Sequence, residues 1–179
     1  MEITCTTVYD QKTVTAMARG LRKTIRKKHS RRSHILGGIV TAAAVLFPIF
    51  SRKEGESLLS FQGIVMWLIA TVLVAVLIWE DQINGYFAKK RMLKGTEKAL
   101  AVFDTDRVDR FHSETEVGSS EFSYEKILLV AETERYFVFL FSSSHAQIYD
   151  KHSLTGGTVE EFRVFLSERT QKPIIPVKA

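Results

Sequence analysis

The sequence predicts a membrane α+β protein. Its parts are a transmembrane helical hairpin, cytoplasmic extensions of both helices, and a small antiparallel-sheet domain closed by a C-terminal helix. Residues 58–79 are 22 residues without a charge, residues 35–50 are a second uncharged run, and the apolar period changes from 3.6 to 2 near residue 99. The 179-residue chain is 45% hydrophobic, which excludes wholesale disorder, and its one cysteine excludes a disulfide framework.

Charge is distributed unevenly along the chain. Residues 12–98 contain 16 Lys and Arg against 5 Asp and Glu, a balance of +11. Residues 104–168 contain 6 Lys and Arg against 13 Asp and Glu, a balance of −7. Because the basic part surrounds the apolar runs, membrane insertion explains it better than nucleic-acid binding, and we expect no nucleic-acid partner.

Residues 1–34 are predicted to form a strand and a basic amphipathic helix on the cytoplasmic side. Residues 3–9 are strand-like and could return to the C-terminal sheet. An apolar stripe with helical spacing follows, made of Val14, Met17, Ala18, Leu21 and Ile25. Two interpretations are open: a surface helix that senses anionic lipid, or a partner-facing apolar stripe with basic residues that serve only to set the membrane topology. The second is favoured.

Residues 58–79 are the second predicted span, about 33 Å long as a helix, with Trp79 at one end where indoles prefer the interface. Residues 35–50 are the first span, about 24 Å long, and a re-entrant segment is the rival interpretation. Gly38 and Ala42 are four residues apart and could let the two helices approach closely, a weak signal because small residues are common in spans.

The orientation follows from the cations beside the spans. Those expected at the cytoplasmic membrane interface are Arg26, Lys27, Lys28, Arg31, Arg32, Lys89, Lys90 and Arg91. The connecting loop, residues 51–57, has only two cations and is placed outside. Both termini are therefore expected in the cytoplasm, and residues 80–98 are expected to continue the second span as a cytoplasmic helix.

Residues 99–172 are predicted to be a compact domain, followed by a tail at residues 173–179. Its strands are expected at residues 126–132, 135–141 and 146–149, with weaker candidates at 107–113 and 115–122. Thr158 and Glu161 form a capping box at the start of the last helix. A sheet closed by one C-terminal helix has the outline of a pleckstrin-homology-like fold.

Five short segments carry a family resemblance: residues 111–116, 122–127, 132–139, 148–151 and 161–166. In this order, after two spans, they resemble the YcxB-like bacterial membrane proteins. The resemblance implies a multi-pass protein of the bacterial cell membrane with a pleckstrin-homology-like C-terminal domain, and it carries no catalytic set. The sequence departs from the family at Tyr124, where Trp is usual, and at Asp150, where proline is usual.

The acidic part contains a candidate docking surface for a basic partner: Asp104, Asp106, Asp109, Glu114, Glu116 and Glu121. A solvated face is the alternative. The five histidines have no metal-ligand spacing, so no metal or cofactor is predicted. Ser144, His145 and Asp150 have the residue types of a hydrolase triad, but no nucleophile motif accompanies them.

The sequence therefore favours a non-enzymatic integral membrane protein. Its partners would be the bilayer and, through the cytoplasmic domain, a protein or lipid headgroups. A protein partner is preferred because anionic headgroups would repel a domain with a balance of −7. The alternatives are a membrane immunity protein against a bacteriocin or secreted toxin, and a small enzyme. Self-association of the chain is also open.

Overall fold

The computed structural model describes residues 2–50 and 60–178. The chain divides into two compact units. The α+β unit is Met1–Arg26 with Asn84–Ala179, and the helical unit is Lys27–Ile83. The predicted outside loop, residues 51–57, lies outside the described residues.

The described chain has five α-helices and nine strands, so its class is α+β as predicted. The helices are α1 (Gln11–Lys23), α2 (Lys27–Phe50), α3 (Phe61–Ile78), α4 (Glu80–Lys90) and α5 (Val159–Thr170). The strands are β1 (Glu2–Val8), β2 (Lys98–Asp104), β3 (Arg110–Thr115), β4 (Gly118–Ser123), β5 (Leu129–Glu132), β6 (Tyr136–Leu140), β7 (Ala146–Asp150), β8 (Leu154–Thr155) and β9 (Ile174–Pro176).

The first sheet of the α+β unit has the order β4-β3-β2-β1-β8, and every neighbouring pair is antiparallel. β1 pairs with β2 along its whole length, from Glu2 opposite Asp104 to Val8 opposite Lys98. The strand-like N-terminal segment therefore returns to the sheet. It is an interior strand, so the first residues of the chain belong to the same core as the C-terminal part.

The second sheet has the order β7-β6-β5-β9 and is mixed, because β9 runs parallel to β5. Residues 173–179 were predicted as a tail, and β9 corrects that prediction for Ile174–Pro176. The two prolines suggested an unstructured end. Proline is compatible with an edge strand, however, and the ladder continues as the Val177 amide donates to the Glu132 carbonyl at 2.7 Å.

Two other predicted boundaries differ from the structure. The predicted helix 80–98 ends at Lys90, and β2 begins at Lys98, a strand that the sequence analysis did not delimit. The predicted strand 126–132 begins only at Leu129, because Tyr124–Lys126 forms a 3-10 turn in which the Ile127 amide donates to the Tyr124 carbonyl at 3.1 Å.

Aromatic side chains fill the core between the sheets and α5. Phe103 of β2 is fully buried, and its ring centroid lies 4.8 to 6.0 Å from those of Phe111, Phe139, Tyr149 and Phe162. α5 starts with the predicted capping box, in which the Glu161 amide donates to Thr158 Oγ1 and the Thr158 amide donates to Glu161 Oε2.

The apolar stripe of α1 packs inside the α+β unit. Val14 is 1% exposed and Leu21 is 8% exposed, and both belong to a second buried cluster with Val138 of β6. Thr24 ends the helix, and α2 starts separately at Lys27. Since the stripe is buried against protein, the structure favours the partner-facing interpretation over a lipid-binding surface helix.

The helical unit is a pair of packed helices with small buried side chains at seven-residue intervals. Ser30 and Ala44 of α2 and Gly63 and Ala70 of α3 are buried, and Gly37 lies midway between Ser30 and Ala44. Such a period keeps one face of each helix on its partner.

The predicted role of Gly38 in helix packing is wrong. A Cβ at Gly37 would come 2.8 Å from Leu77 Cδ2, whereas a Cβ at Gly38 would meet nothing within 4 Å. The residue that needs to be small is one position earlier, because the four-residue spacing of Gly38 and Ala42 did not identify which face of α2 meets α3.

Candidate functional site

A cavity of about 510 Å³ lies in the α+β unit between α1, the segment that follows α4, the β3–β4 hairpin and the start of β7. None of the described residues that line it carries a charged side chain. A quarter of the chain is charged, so this lining stands out from the rest of the molecule. A volume of this size is in the range of small-molecule sites, about 300–1,000 Å³.

The cavity arises where the inward side chains of the hairpin become small. Phe111 of β3 and Phe122 of β4 are register partners, and their rings stack with centroids 5.4 Å apart. Two residues further along the inward face, the next register pair is Ser113 and Ser120, which line the cavity. Because alternate residues of a strand share a face, replacement of an aromatic pair by a serine pair leaves unfilled space.

The opposite wall comes from α1, which begins after its N-cap residue, Asp10. Asp10 Oδ1 accepts a hydrogen bond of 2.7 Å from the Thr13 amide. Burial alone would raise the pKa of Asp10, but the hydrogen bonds from Thr13 outweigh it and lower the pKa. The helix that starts here presents Val14 and Met17 to the cavity.

The polar groups of the cavity are neutral. The Tyr9 hydroxyl donates to Gln147 Oε1 at 2.9 Å, and burial raises the pKa of Tyr9 to about 12. Serine hydroxyls and the Gln147 amide do not ionise at physiological pH. The cavity therefore offers an apolar surface with a few hydrogen-bonding groups, which the sequence analysis missed. The sequence carries no signal for this cavity, because Ser113 and Ser120 become partners only through the register of β3 and β4.

The predicted acidic docking residues lie on two neighbouring parts of the first sheet. Asp104, Glu114 and Glu121 are on the outward face of β2, β3 and β4. Asp106 and Asp109 are in the loop between β2 and β3, and Glu116 is in the β3–β4 turn. Asp104, Glu114 and Glu121 therefore share one face of the sheet, and docking by this surface remains a prediction.

Two arginines lie within this acidic surface. Glu121 approaches Arg107 at 3.5 Å and Arg110 at 3.3 Å, and Asp109 approaches Arg110 at 3.2 Å. A second, larger groove of about 870 Å³ includes Asp109, Arg110, Glu121 and His145. Its lining has mixed charge, so the surface is less uniformly acidic than the sequence count suggested.

A network around Glu132 joins β5, the 3-10 turn after β7, and α5. Arg163 donates to both oxygens of the Glu132 carboxylate at 2.7 and 3.1 Å, and Lys151 Nζ donates to it at 2.5 Å. Lys151 Nζ also lies 4.8 Å from the centroid of the Phe137 ring. Burial would raise the pKa of Glu132, but the hydrogen bonds from Arg163 and Lys151 lower it. No local pattern in the sequence connects these residues, because Glu132, Lys151 and Arg163 are far apart along the chain.

The predicted membrane-interface residues occupy helix ends. Lys27, Lys28, Arg31 and Arg32 are exposed at the start of α2, which begins eight residues before the predicted span. Trp79 is 52% exposed at the C-cap of α3. Of the others, Arg26 donates to the Ser143 carbonyl at 2.5 Å, while Lys89 and Lys90 end α4 and Arg91 follows it.

The residue types of a hydrolase triad are not arranged as one. The Asp150 carboxylate accepts bonds of 2.7 and 3.0 Å from Arg135, at the far end of β7 from His145. Within residues 2–50 and 60–178, no group of three or more His, Cys, Asp and Glu side chains is placed to hold a metal ion.

A family model described as YcxB-like protein matches residues 107–166 of the chain. This match confirms the family resemblance expected from the sequence, and it runs from just before β3 into α5. The YcxB-like region thus supplies the hairpin wall of the cavity and Gln147, while α1 and the two apolar helices lie outside it. Searches of curated proteins and of solved structures found no match.

Proposed function

We propose that this chain is an integral protein of the bacterial cell membrane, anchored by a hairpin of α2 and α3, with the α+β unit acting in the cytoplasm as a non-enzymatic binding module. The observation that carries the proposal is the exposure of both helices. Only 6% of the apolar window of α2 and 11% of that of α3 are buried. A core helix of a soluble protein would be mostly buried, and contiguous apolar surface of this extent needs a cover.

The lengths of the two helices support a bilayer as that cover. α3 has 18 residues, about 27 Å, and α2 has 24 residues, about 36 Å. A hydrocarbon core is about 30 Å thick. The N-terminal third of α2 carries the cations, so its apolar part is the shorter span, and flanking Arg31 and Arg32 can snorkel to the interface.

The binding role of the α+β unit rests on its surface and on its outline. Two sheets with a C-terminal helix are compatible with the pleckstrin-homology-like outline that the family implies. The unit offers a groove of mixed charge beside the acidic surface and a separate uncharged cavity, two features suited to different partners. The balance of −7 over residues 104–168 favours a protein over anionic headgroups at the charged groove.

The experiment is a topology assay on the full chain. Reporters active only outside the cell, and reporters active only inside it, are fused in parallel after residue 178 and within residues 51–57. We expect the chain to resist carbonate extraction, the C-terminal fusion to be active only inside, and the loop fusion to be active only outside. Extraction into the soluble fraction would overturn the membrane assignment, and an outside C-terminus would overturn the orientation.

A further inference from the structure

We propose that the uncharged cavity of the α+β unit binds one acyl chain of a membrane lipid, with the headgroup held at the cavity rim. This goes beyond a protein-binding module and rests on the proposed membrane location. It assigns a ligand class to a site made by Ser113, Ser120, Val14, Met17, Met92 and Phe122.

The lining selects for an apolar ligand. A phosphorylated or otherwise charged molecule would lose its hydration in this cavity without meeting an opposite charge, which is strongly unfavourable. Met17 of α1 and Met92 after α4 contribute unbranched, flexible side chains that adapt to an irregular apolar ligand. These features suit a hydrocarbon chain.

The rim is amphipathic. Val117 is 60% exposed and Leu93 is 73% exposed. The two segments lie side by side, since a Cβ at Gly95 would come 2.7 Å from Val117 Cγ1. Lys89 and Lys94 adjoin the same segment in the sequence. Exposed apolar groups next to cations match a lipid that enters tail first while its phosphate remains outside.

The bilayer is the nearest source of such a ligand. Ala88, which lines the cavity, is nine residues after Trp79 in the sequence. Nine residues reach at most about 32 Å even when fully extended. A chain anchored through α3 therefore holds this cavity wall within about one bilayer thickness of the lipid surface. An apolar peptide is the competing occupant, and the test below separates the two.

The test uses the full chain in liposomes that contain phosphatidylglycerol with a photoactivatable group near the end of one acyl chain. After irradiation and proteolysis, labelled peptides are mapped by mass spectrometry. We expect labels in α2 and α3 and, separately, in residues 111–123 or 88–99. Ser120→Phe fills the cavity and should reduce the second set of labels at least fivefold without changing the first.

The matched control is Ser123→Phe, which places the same side chain on the same strand at a position that lines the charged groove and not this cavity. It should leave both sets of labels unchanged. If Ser120→Phe alters the tyrosine near-UV spectrum, Ala146→Phe at the start of β7, which also lines the cavity, replaces it. Labels confined to α2 and α3 overturn the acyl-chain site while leaving the membrane assignment intact, as do cavity labels that survive both filling variants. Absence of labels from α2 and α3 overturns the membrane assignment and, with it, this proposal.

Discussion

The two units place the same kinds of side chain in opposite positions. In the α+β unit Phe103 and Phe139 are fully buried, whereas in the helical unit Phe61 is 84% exposed and Phe50 is 80% exposed. The helical unit keeps its small residues inside and its large apolar residues outside. This reversal is what the proposed membrane location predicts, since water favours burial of large apolar side chains and hydrocarbon does not.

The largest expected effect tests whether the aromatic core stabilises only one unit. Phe103→Ala removes a ring that contacts four others, and we expect the free energy of unfolding of the α+β unit to fall by about 3–5 kcal/mol. All five tyrosines lie in the α+β unit and both tryptophans lie in the helical unit. Denaturant titration of the full chain in micelles, followed by tyrosine near-UV circular dichroism, measures the change.

The matched variant is Phe61→Ala, the same truncation at an exposed position. It should leave the tyrosine transition where it is. A comparable shift for both variants would show that the two units do not differ in this way.

The second prediction concerns the surroundings of the exposed side chains. Val72 of α3 and Val164 of α5 are each 59% exposed. Val72→Arg should lower membrane insertion by about 2.5–3.5 kcal/mol, because an arginine near the centre of a span is costly. Val164→Arg should have almost no effect, since the proposed location leaves that side chain in water. The membrane-inserted fraction after carbonate extraction gives the result, and equal behaviour of the two variants would contradict the comparison.

The sequence predicted those parts of the fold that depend on local patterns. The uncharged run of residues 58–79 and the capping box at Thr158 each act locally, so their patterns predicted α3 and the start of α5. β1 was suggested only as a returning strand, and β9 was taken for a tail. Both depend on pairing between distant residues, such as Cys5 with Ala101, or Ile174 with Val130, which no local pattern encodes.

The candidate site was less predictable than the fold. The number of acidic residues was evident from the sequence. That Arg107 and Arg110 form ion pairs with Glu121 is evident only from the side-chain distances. The cavity depends on which strand residues face inward together. Ser113 and Ser120 are unremarkable in the sequence, and only the register that makes them partners places them opposite α1.

The third prediction tests which face of α2 packs against α3 in the helical unit. Gly37→Leu should weaken the packing of α2 on α3, because the new side chain would overlap Leu77. We expect the free energy of association of the two helices to become less favourable by about 1–3 kcal/mol. Gly38→Leu should be tolerated, since space beside Gly38 is open. Trp67 and Trp79 report the result by fluorescence in micelles, together with cysteine crosslinking of α2 to α3. A larger effect at Gly38 than at Gly37 would reverse the assigned face.

The smallest effect concerns the ionic network of the α+β unit. Glu132 has a lowered pKa, so the unfolded chain binds this proton more tightly than the folded one. Its contribution to stability is therefore present above the ordinary value of 4.5 and is lost as the pH falls through the folded-state pKa. Glu132→Gln should lower the free energy of unfolding by about 1–2 kcal/mol at neutral pH, and the difference from the parent chain should shrink below pH 4.5.

The control is Glu134→Gln, an exposed neighbour in the β5–β6 turn, which should change the free energy of unfolding little at any pH. Denaturant titrations at several pH values, followed by the tyrosine signal, measure both variants. A pH-independent difference for Glu132→Gln would mean that the variant acts by packing rather than by charge.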